Sequence, residues 1–193
     1  PLHYTQLLPG VQTNSEYDAG LHVQGCDNGH NFVSLGDVPV YNASHLLGFF
    51  SVFNASHFPA MRFDRSSIKA SAANRLGGTL NMELPGKQPV KTNGEFTIGP
   101  MSSQGTLRMP IGKSDALYVS LRAAYLNLLY GQWLKFDSDE IDYHFQDYNV
   151  TYLHKTKAED KLWFNFYYGD DNVGMDEEDT ESTTLLKWKN LLS

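Results

Sequence analysis

The sequence has a single cysteine, Cys26, among its 193 residues. One cysteine cannot build a disulfide framework, and it cannot by itself supply the ligands of a structural zinc site. Positive charge is also scarce, since 15 lysines and arginines stand against 22 aspartates and glutamates. The net charge of −7 argues against a protein that binds nucleic acid through its phosphates.

Long hydrophobic runs are also missing. No stretch approaches the ~18 consecutive apolar residues of a transmembrane helix. The opening PLHYTQLLPG lacks the basic start and apolar centre of a signal peptide. Neither absence excludes an outer-membrane β-barrel, because its strands alternate apolar and polar residues and never look hydrophobic as a whole. The hydrophobic share of 41% is enough for a folded core, so we do not expect a disordered chain.

The sequence pattern changes near residue 88. Residues 1–88 are rich in glycine and in short apolar runs between turn signals, which predicts a small α+β unit. Within it, Gly36-Asp37 lies between Phe32–Leu35 and Val38–Tyr41 and predicts a hairpin turn. Residues 89–193 instead contain long segments in which apolar and polar residues alternate. This alternation predicts an antiparallel sheet.

The alternation is clearest from Leu117 to Tyr125. There, one set of alternate residues is apolar (Leu117, Val119, Leu121, Ala123) and the other contains Ser120 and Arg122. Tyr148–Tyr152 and Leu162–Tyr168 alternate in the same way, and the polar stretch Thr156–Asp160 between them predicts a hairpin. Further strands are predicted around Glu95–Gly99, Gly105–Met109 and Thr184–Lys189.

Two interpretations of this sheet remain open on periodicity alone. A soluble sheet with one wet face alternates in the same manner. A membrane barrel is favoured by segments of roughly 9–13 residues, which can cross a bilayer when tilted. It is also favoured by the contrast between the short turn Thr156–Asp160 and the acidic connections Gln132–Asp142 and Asp170–Thr183. Five aromatic residues lie near predicted strand ends, where interface girdles would place them: Tyr130, Trp133, Tyr167, Tyr168 and Trp188.

A series of motifs in the first part makes the prediction more specific. In order, they are Leu7–Gln12 (LLPGVQ), Leu21–Gly25 (LHVQG), Asn31–Asn42 (NFVSLGDVPVYN), Ser44–Asn54 (SHLLGFFSVFN) and Asn74–Leu80 (NRLGGTL). This series resembles the plug domain of TonB-dependent outer-membrane receptors, most closely the type common in Bacteroidetes. The resemblance continues into the first barrel strands and covers nearly the whole chain. Gln24-Gly25, Gly36-Asp37 and Ala73-Asn74 depart from the family pattern, which usually has Arg-Gly, Asp-Gly and a glycine pair there.

The resemblance implies an α+β plug over residues 1–88, followed over 89–193 by antiparallel transmembrane β-barrel strands. The family's barrel has 22 strands around a lumen that the plug blocks, a construction typical of outer-membrane transporters. At about 10 residues per strand, residues 89–193 supply about five or six strands. We therefore expect a mainly β fragment with an incomplete barrel, comprising the later part of the plug and the first barrel strands.

The same resemblance implies a function and a location. The chain would be part of a receptor for energy-coupled uptake of a nutrient (a siderophore, metal chelate, glycan or peptide) in the outer membrane of a Gram-negative bacterium. Its partners would be outer-membrane lipid, a surface lipoprotein, and TonB through a segment absent from this chain, with no nucleic acid. The alternative is a soluble β-rich interaction or carbohydrate-binding module that uses exposed aromatic residues.

The membrane interpretation assigns residues to two faces of the sheet. The lipid-facing set would be apolar: Leu117, Val119, Tyr148, Val150, Phe164 and Phe166. The lumen-facing set would be polar and able to form hydrogen bonds: Arg122, Asp147, Asn149 and Asn165. The ligand-binding residues are left unknown.

An enzyme or a metal protein is not expected from the remaining residues. Asp170–Glu181 places oxygens at several positions of an EF-hand calcium loop, but Met175 stands where that loop needs glycine. A solvated loop is favoured there and over Asp137–Asp142. The histidine pairs His22 with His30 and His45 with His57 lack the i, i+4 spacing of helical metal ligands. Ser44-His45 and Ser56-His57 are adjacent pairs without a G-x-S-x-G motif, so we predict no catalytic, cofactor or metal residues.

Overall fold

The chain is mainly β in the computed structural model, with about 60% of its residues in strands. The structure describes residue 5 and residues 7–12, 20–45, 50–65, 70, 75–125, 135–136, 139–158, 160–176 and 183–192. The chain divides into two compact units, Pro1–Pro85 and Gly86–Ser193. No described helix is long and apolar enough to cross a membrane.

The described residues of the first unit include eight short strands and a turn of 3₁₀ helix at Asn28–His30. The strands are β1 (Val11–Gln12), β2 (His22–Val23), β3 (Phe32–Leu35), β4 (Val38–Pro39), β5 (Ser44–His45), β6 (Phe50–Ser51), β7 (Ala60–Asp64) and β8 (Thr79–Glu83). A four-stranded sheet has the order β4-β3-β8-β7, in which β3 and β8 are parallel. The strands β1 with β2 and β5 with β6 form two separate antiparallel pairs. Leu21, Val23, Leu35 and Leu80 are among its buried apolar residues.

The hairpin predicted at Gly36-Asp37 is confirmed. It joins β3 to β4, and both turn residues have positive φ, 56° and 69°, the backbone conformation that a two-residue type I′ turn requires. The side-chain oxygen of Asn81 on β8 accepts from the Asp37 backbone N–H at 3.2 Å and from the Ser34 hydroxyl at 2.9 Å. This residue therefore fastens the turn to the neighbouring strand.

The α+β character expected for residues 1–88 is not seen in the residues that the structure describes. The described residues of this part lie mostly in short strands and turns, so only the mainly β part of the expected fold holds.

The second unit is an antiparallel meander. Its strands are β9 (Asn93–Ile98), β10 (Ser102–Ile111), β11 (Asp115–Ala124), β12 (Lys135–Phe136), β13 (Asp139–Lys155), β14 (Lys161–Asp176) and β15 (Thr183–Leu192). The order is β9-β10-β11-β13-β14-β15, and β12 pairs with β13. Among the described residues β9 and β15 do not pair with each other, so this sheet is open and no closed barrel forms.

The β13–β14 hairpin is confirmed at the predicted turn, where the Thr156 N–H donates to the Asp160 carbonyl at 2.9 Å. Both strands are much longer than predicted. Their pairing extends from Lys155 opposite Lys161 to Glu140 opposite Asp176. The predicted acidic connections Gln132–Asp142 and Asp170–Thr183 are therefore partly wrong. Backbone pairing between neighbouring strands continues through acidic residues, which a pattern based on hydrophobicity assigns to loops.

Candidate functional site

The sheet of the second unit has an unusual distribution of polarity, which is clearest on β11. Its residues alternate between buried and more exposed positions along the whole strand. The buried set contains Ser120 and Arg122, whereas the exposed side carries Leu117, Val119 and Leu121. A soluble sheet with one wet face would bury the second set and expose the first.

The apolar side continues across the neighbouring strands, and we call it the outer face. Register pairing aligns Leu107, Val119, Val150 and Phe166 in one row and Met109, Leu117, Tyr152 and Phe164 in the next. Phe164 is 62% exposed and Phe166 is 42% exposed. None of the six residues predicted to face outwards (Leu117, Val119, Tyr148, Val150, Phe164, Phe166) is buried. The predicted apolar and exposed face is therefore confirmed.

The opposite side, which we call the polar face, is buried along β11 and β13. Arg122, Asp147 and Asn149 lie on it as predicted, and Asp147 and Asn149 are each only 1% exposed. Asn165 lies on the same face, because it pairs with the buried Thr151 and accepts a hydrogen bond from its hydroxyl at 2.6 Å. The four residues assigned to a polar face from the sequence are thus on one side of the sheet.

A charged pair lies at the centre of the polar face. Arg122 and Asp147 are directly opposite each other on β11 and β13. The Arg122 Nε donates to Asp147 Oδ2 at 2.8 Å, and its Nη2 donates to the same oxygen. The Tyr167 hydroxyl donates to the other oxygen, Oδ1, at 2.8 Å. The guanidinium also lies 5.0 Å from the centre of the Phe145 ring, within the range of a cation–π contact.

Sequence reasoning missed two further members of this face. Tyr167 was predicted to belong to an interface girdle, but its side chain is buried on the polar face. Asp171 is fully buried as well and accepts from the Tyr143 hydroxyl at 3.1 Å. The period-two pattern could have placed Tyr167 correctly, because it has the same parity along the strand as Asn165.

Gly169 makes room for the tyrosine that reaches Asp147. A Cβ at this position would overlap the Tyr167 hydroxyl and would lie 3.3 Å from Asp147 Oδ1. We expect Gly169→Ala to destabilise the fold by about 1–3 kcal/mol, as overpacking of a buried site does. In a Tyr167→Phe background the closest atom, the hydroxyl oxygen, is gone and the ring carbon Cζ at 3.0 Å remains, so the cost of Gly169→Ala should fall. Urea titration of the four variants of this cycle measures the difference; equal costs in both backgrounds would contradict the steric account.

Along the direction of the strands, tyrosines lie towards both ends of the outer face. At the end that leads to the longer connections, the Tyr148 hydroxyl donates to Gln146 at 2.7 Å and the Tyr168 hydroxyl donates to Asp170 at 2.9 Å. The two rings are 6.0 Å apart. At the other end, Tyr152 interacts with the carboxylate of Asp115. The polar tips of these side chains therefore point away from the middle of the face in both directions.

The position of Tyr168 agrees with the girdle prediction, because it lies on the outer face at the edge of the apolar rows. Tyr130 and Trp133 lie outside the described residues, and so does the side chain of Trp188.

The solvated loop favoured at Asp170–Glu181 is wrong over the part that the structure describes. Residues 170–176 belong to β14, where Asp170 and Asp171 project to opposite faces. Asp170 forms an ion pair with Lys189 at 3.3 Å. Asp139–Asp142 is likewise part of β13 and not of a loop. Residues 177–182 lie outside the described residues.

The two histidine pairs do not form metal sites in the described residues. His30 Nδ1 accepts from the Asp27 backbone N–H at 3.2 Å, and His22 Nδ1 lies 3.7 Å from an Asp27 oxygen. His45 and His57 are buried, and the His57 ring packs against Phe58 at 4.8 Å. Within the described part of the chain, no three His, Cys, Asp or Glu side chains could hold a metal ion together.

No protein-family model matches the chain, and no curated protein is significantly similar to it. The functional argument therefore depends on the sheet itself. The polarity of this sheet is the reverse of that of a soluble sheet with one wet face. Its apolar face is exposed, and its buried face contains an arginine and two aspartates.

Proposed function

We propose that the chain is part of a TonB-dependent outer-membrane receptor and that the strands β9–β15 are membrane strands of it. The observation that carries this proposal is the inverted sheet of the second unit. Exposed apolar surface is unfavourable in water by about 25 cal/mol per Å². The same surface is favourable against lipid chains, where a polar side chain would be costly.

The dimensions of the outer face support the same proposal. On β13 the apolar rows lie between Gln146 and His154, and the latter is paired with Asp115 at 2.6 Å. That span matches the roughly 9–11 residues that a tilted strand needs to cross a bilayer. The hydroxyls of Tyr148 and Tyr152, which point away from each other, suit the two levels at which lipid headgroups meet the hydrocarbon layer.

The receptor part of the proposal depends on the resemblance of Leu7–Leu80 to a plug domain. The described residues from this segment form a compact unit of short strands, with tight turns at Gly25 and Gly36, both of which have positive φ. The activity would be energy-coupled import of a nutrient through the outer membrane. TonB would supply the energy, and a surface lipoprotein could present the ligand, whether a siderophore, a metal chelate, a glycan or a peptide.

Fractionation of cells that make the protein tests the proposal. We expect the chain in the outer-membrane fraction, resistant to a urea or carbonate wash and released only by detergent. Recovery of a monodisperse protein from the soluble fraction without detergent would contradict it. Binding of a soluble protein to an array of glycans would then favour the carbohydrate-binding module, whose exposed aromatics would be those of the outer face, such as Phe164 and Phe166.

A further inference from the structure

One row of the polar face contains buried polar atoms that no other described residue satisfies. Thr106, Ser120 and Asn149 are directly opposite one another on the adjacent strands β10, β11 and β13. Their exposed fractions are 4%, 0% and 1%. The two hydroxyls and both polar atoms of the Asn149 amide have no hydrogen-bond partner within the described part of the protein.

The neighbouring rows of the same face are different, because their polar groups are paired. On one side of the row, Arg122 binds Asp147, whose other oxygen accepts from the hydroxyl of Tyr167, the residue opposite Asn149. On the other side, Thr151 donates to Asn165. Each buried polar group that is left unsatisfied costs roughly 1–3 kcal/mol, and the cost of four such atoms in one row would be a large fraction of a fold's stability. Some ligand that both donates and accepts hydrogen bonds is therefore required along this row.

We propose that the Thr106–Ser120–Asn149 row is a binding site for ordered water. Within the described part of the protein none of these three side chains bonds directly to its neighbour in the row, and a water between strands about 4.8 Å apart can bridge two groups with hydrogen bonds of about 2.8 Å. The three side chains are uncharged, and Glu95, which is opposite Thr106 on β9, forms an ion pair with Arg108 at 3.4 Å, so a neutral ligand fits the row better than an ion does. The amide of Asn149 offers a donor and an acceptor, and each hydroxyl offers both, which gives the two to four polar partners that a buried water needs.

The sign of a stability change tests this inference. Ser120→Ala, Thr106→Val and Asn149→Leu each remove polar atoms while keeping a similar shape. If water bridges the row, each replacement loses hydrogen bonds to that water, and the apparent melting temperature falls by roughly 2–4 °C. If the row is dry, each replacement removes an unsatisfied group, and the melting temperature rises. A rise for Ser120→Ala and Thr106→Val would overturn the proposal.

The exposed Ser114, in the turn between β10 and β11, provides the control. Ser114→Ala makes the same chemical change without a buried site and should leave the melting temperature within about 1 °C. An experimental structure that resolves ordered water gives the direct measurement. Water within hydrogen-bonding distance of Ser120 Oγ and the Asn149 amide supports the site, and a row free of water overturns it. Both measurements are made in whichever medium keeps the full chain folded, so they do not depend on membrane insertion.

Discussion

Replacing Arg122 with leucine is expected to destabilise the protein by about 3–5 kcal/mol, because the buried Asp147 carboxylate then loses its cationic partner. Asp147 is only 1% exposed, and both of its oxygens are engaged, one by the guanidinium and one by the Tyr167 hydroxyl. The free energy of unfolding from a urea titration measures the loss.

A combined replacement provides the control for this prediction. Arg122→Leu together with Asp147→Leu and Tyr167→Phe removes the whole network and leaves no buried charge behind. Replacing a buried ion pair with apolar residues of similar volume is often neutral. We expect this triple variant to be more stable than Arg122→Leu alone. A single Arg122→Leu variant that loses less than about 1 kcal/mol would show that the pair is solvated and weak, as exposed ion pairs are.

Much of this sheet can be predicted from the sequence because its signal is local. The side chains of a strand alternate with a period of two, so the parity of Leu117, Val119 and Leu121 against Ser120 and Arg122 already assigns two faces. The turn Thr156–Asp160 is local too, and it sets the register of β13 and β14 over their whole length. Once this register is fixed, Asp147 must lie opposite Gly169. Its position opposite Arg122 depends on the register of β11 against β13, which this turn does not set.

The lengths of β13 and β14 could not be predicted in the same way. Whether Asp139–Asp142 continues a strand depends on the backbone groups that the partner strand offers, and the partner here is the equally acidic end of β14. The buried Asp171 illustrates the same limit. It accepts a hydrogen bond from the hydroxyl of Tyr143 on β13, 28 residues earlier in the chain. The turn brings these two residues together only if the pairing continues to this end of the strands, which the acidic composition does not indicate.

The first unit is less predictable because its contacts join distant segments. The parallel pairing of β3 with β8 connects residues that are more than forty positions apart. The Asn31 side chain also joins distant segments, because it donates to the Leu21 carbonyl at 2.5 Å and accepts from the Gly78 N–H at 2.9 Å. A Cβ on Gly77 would overlap the side chain of Asn31, which gives the glycine pair of the NRLGGTL motif a packing reason.

Replacing Phe166 with lysine is expected to cost about 2–4 kcal/mol when the protein folds into a bilayer, the penalty of a cation at the level of the bilayer midplane. Phe166 is in the central row of the outer face, beside Val150, Val119 and Leu107. Leu162, at the turn end of the same strand, is opposite the polar His154. Leu162→Lys should therefore cost only about 0–1 kcal/mol, the penalty near an interface. Urea titration of folding into liposomes measures both.

The comparison between these two positions separates a lipid-facing sheet from a water-facing one. Both side chains are on the outer face and exposed, by 42% for Phe166 and 50% for Leu162. In water, a lysine at either position would be tolerated to within about 0.5 kcal/mol, since exposed surface positions usually are. A cost that depends on depth, with its maximum at Phe164 and Phe166, requires a layer of low polarity around the middle of the strand. A flat profile along β14 would mean that the exposed apolar face meets water or another protein, and the receptor proposal would then fail.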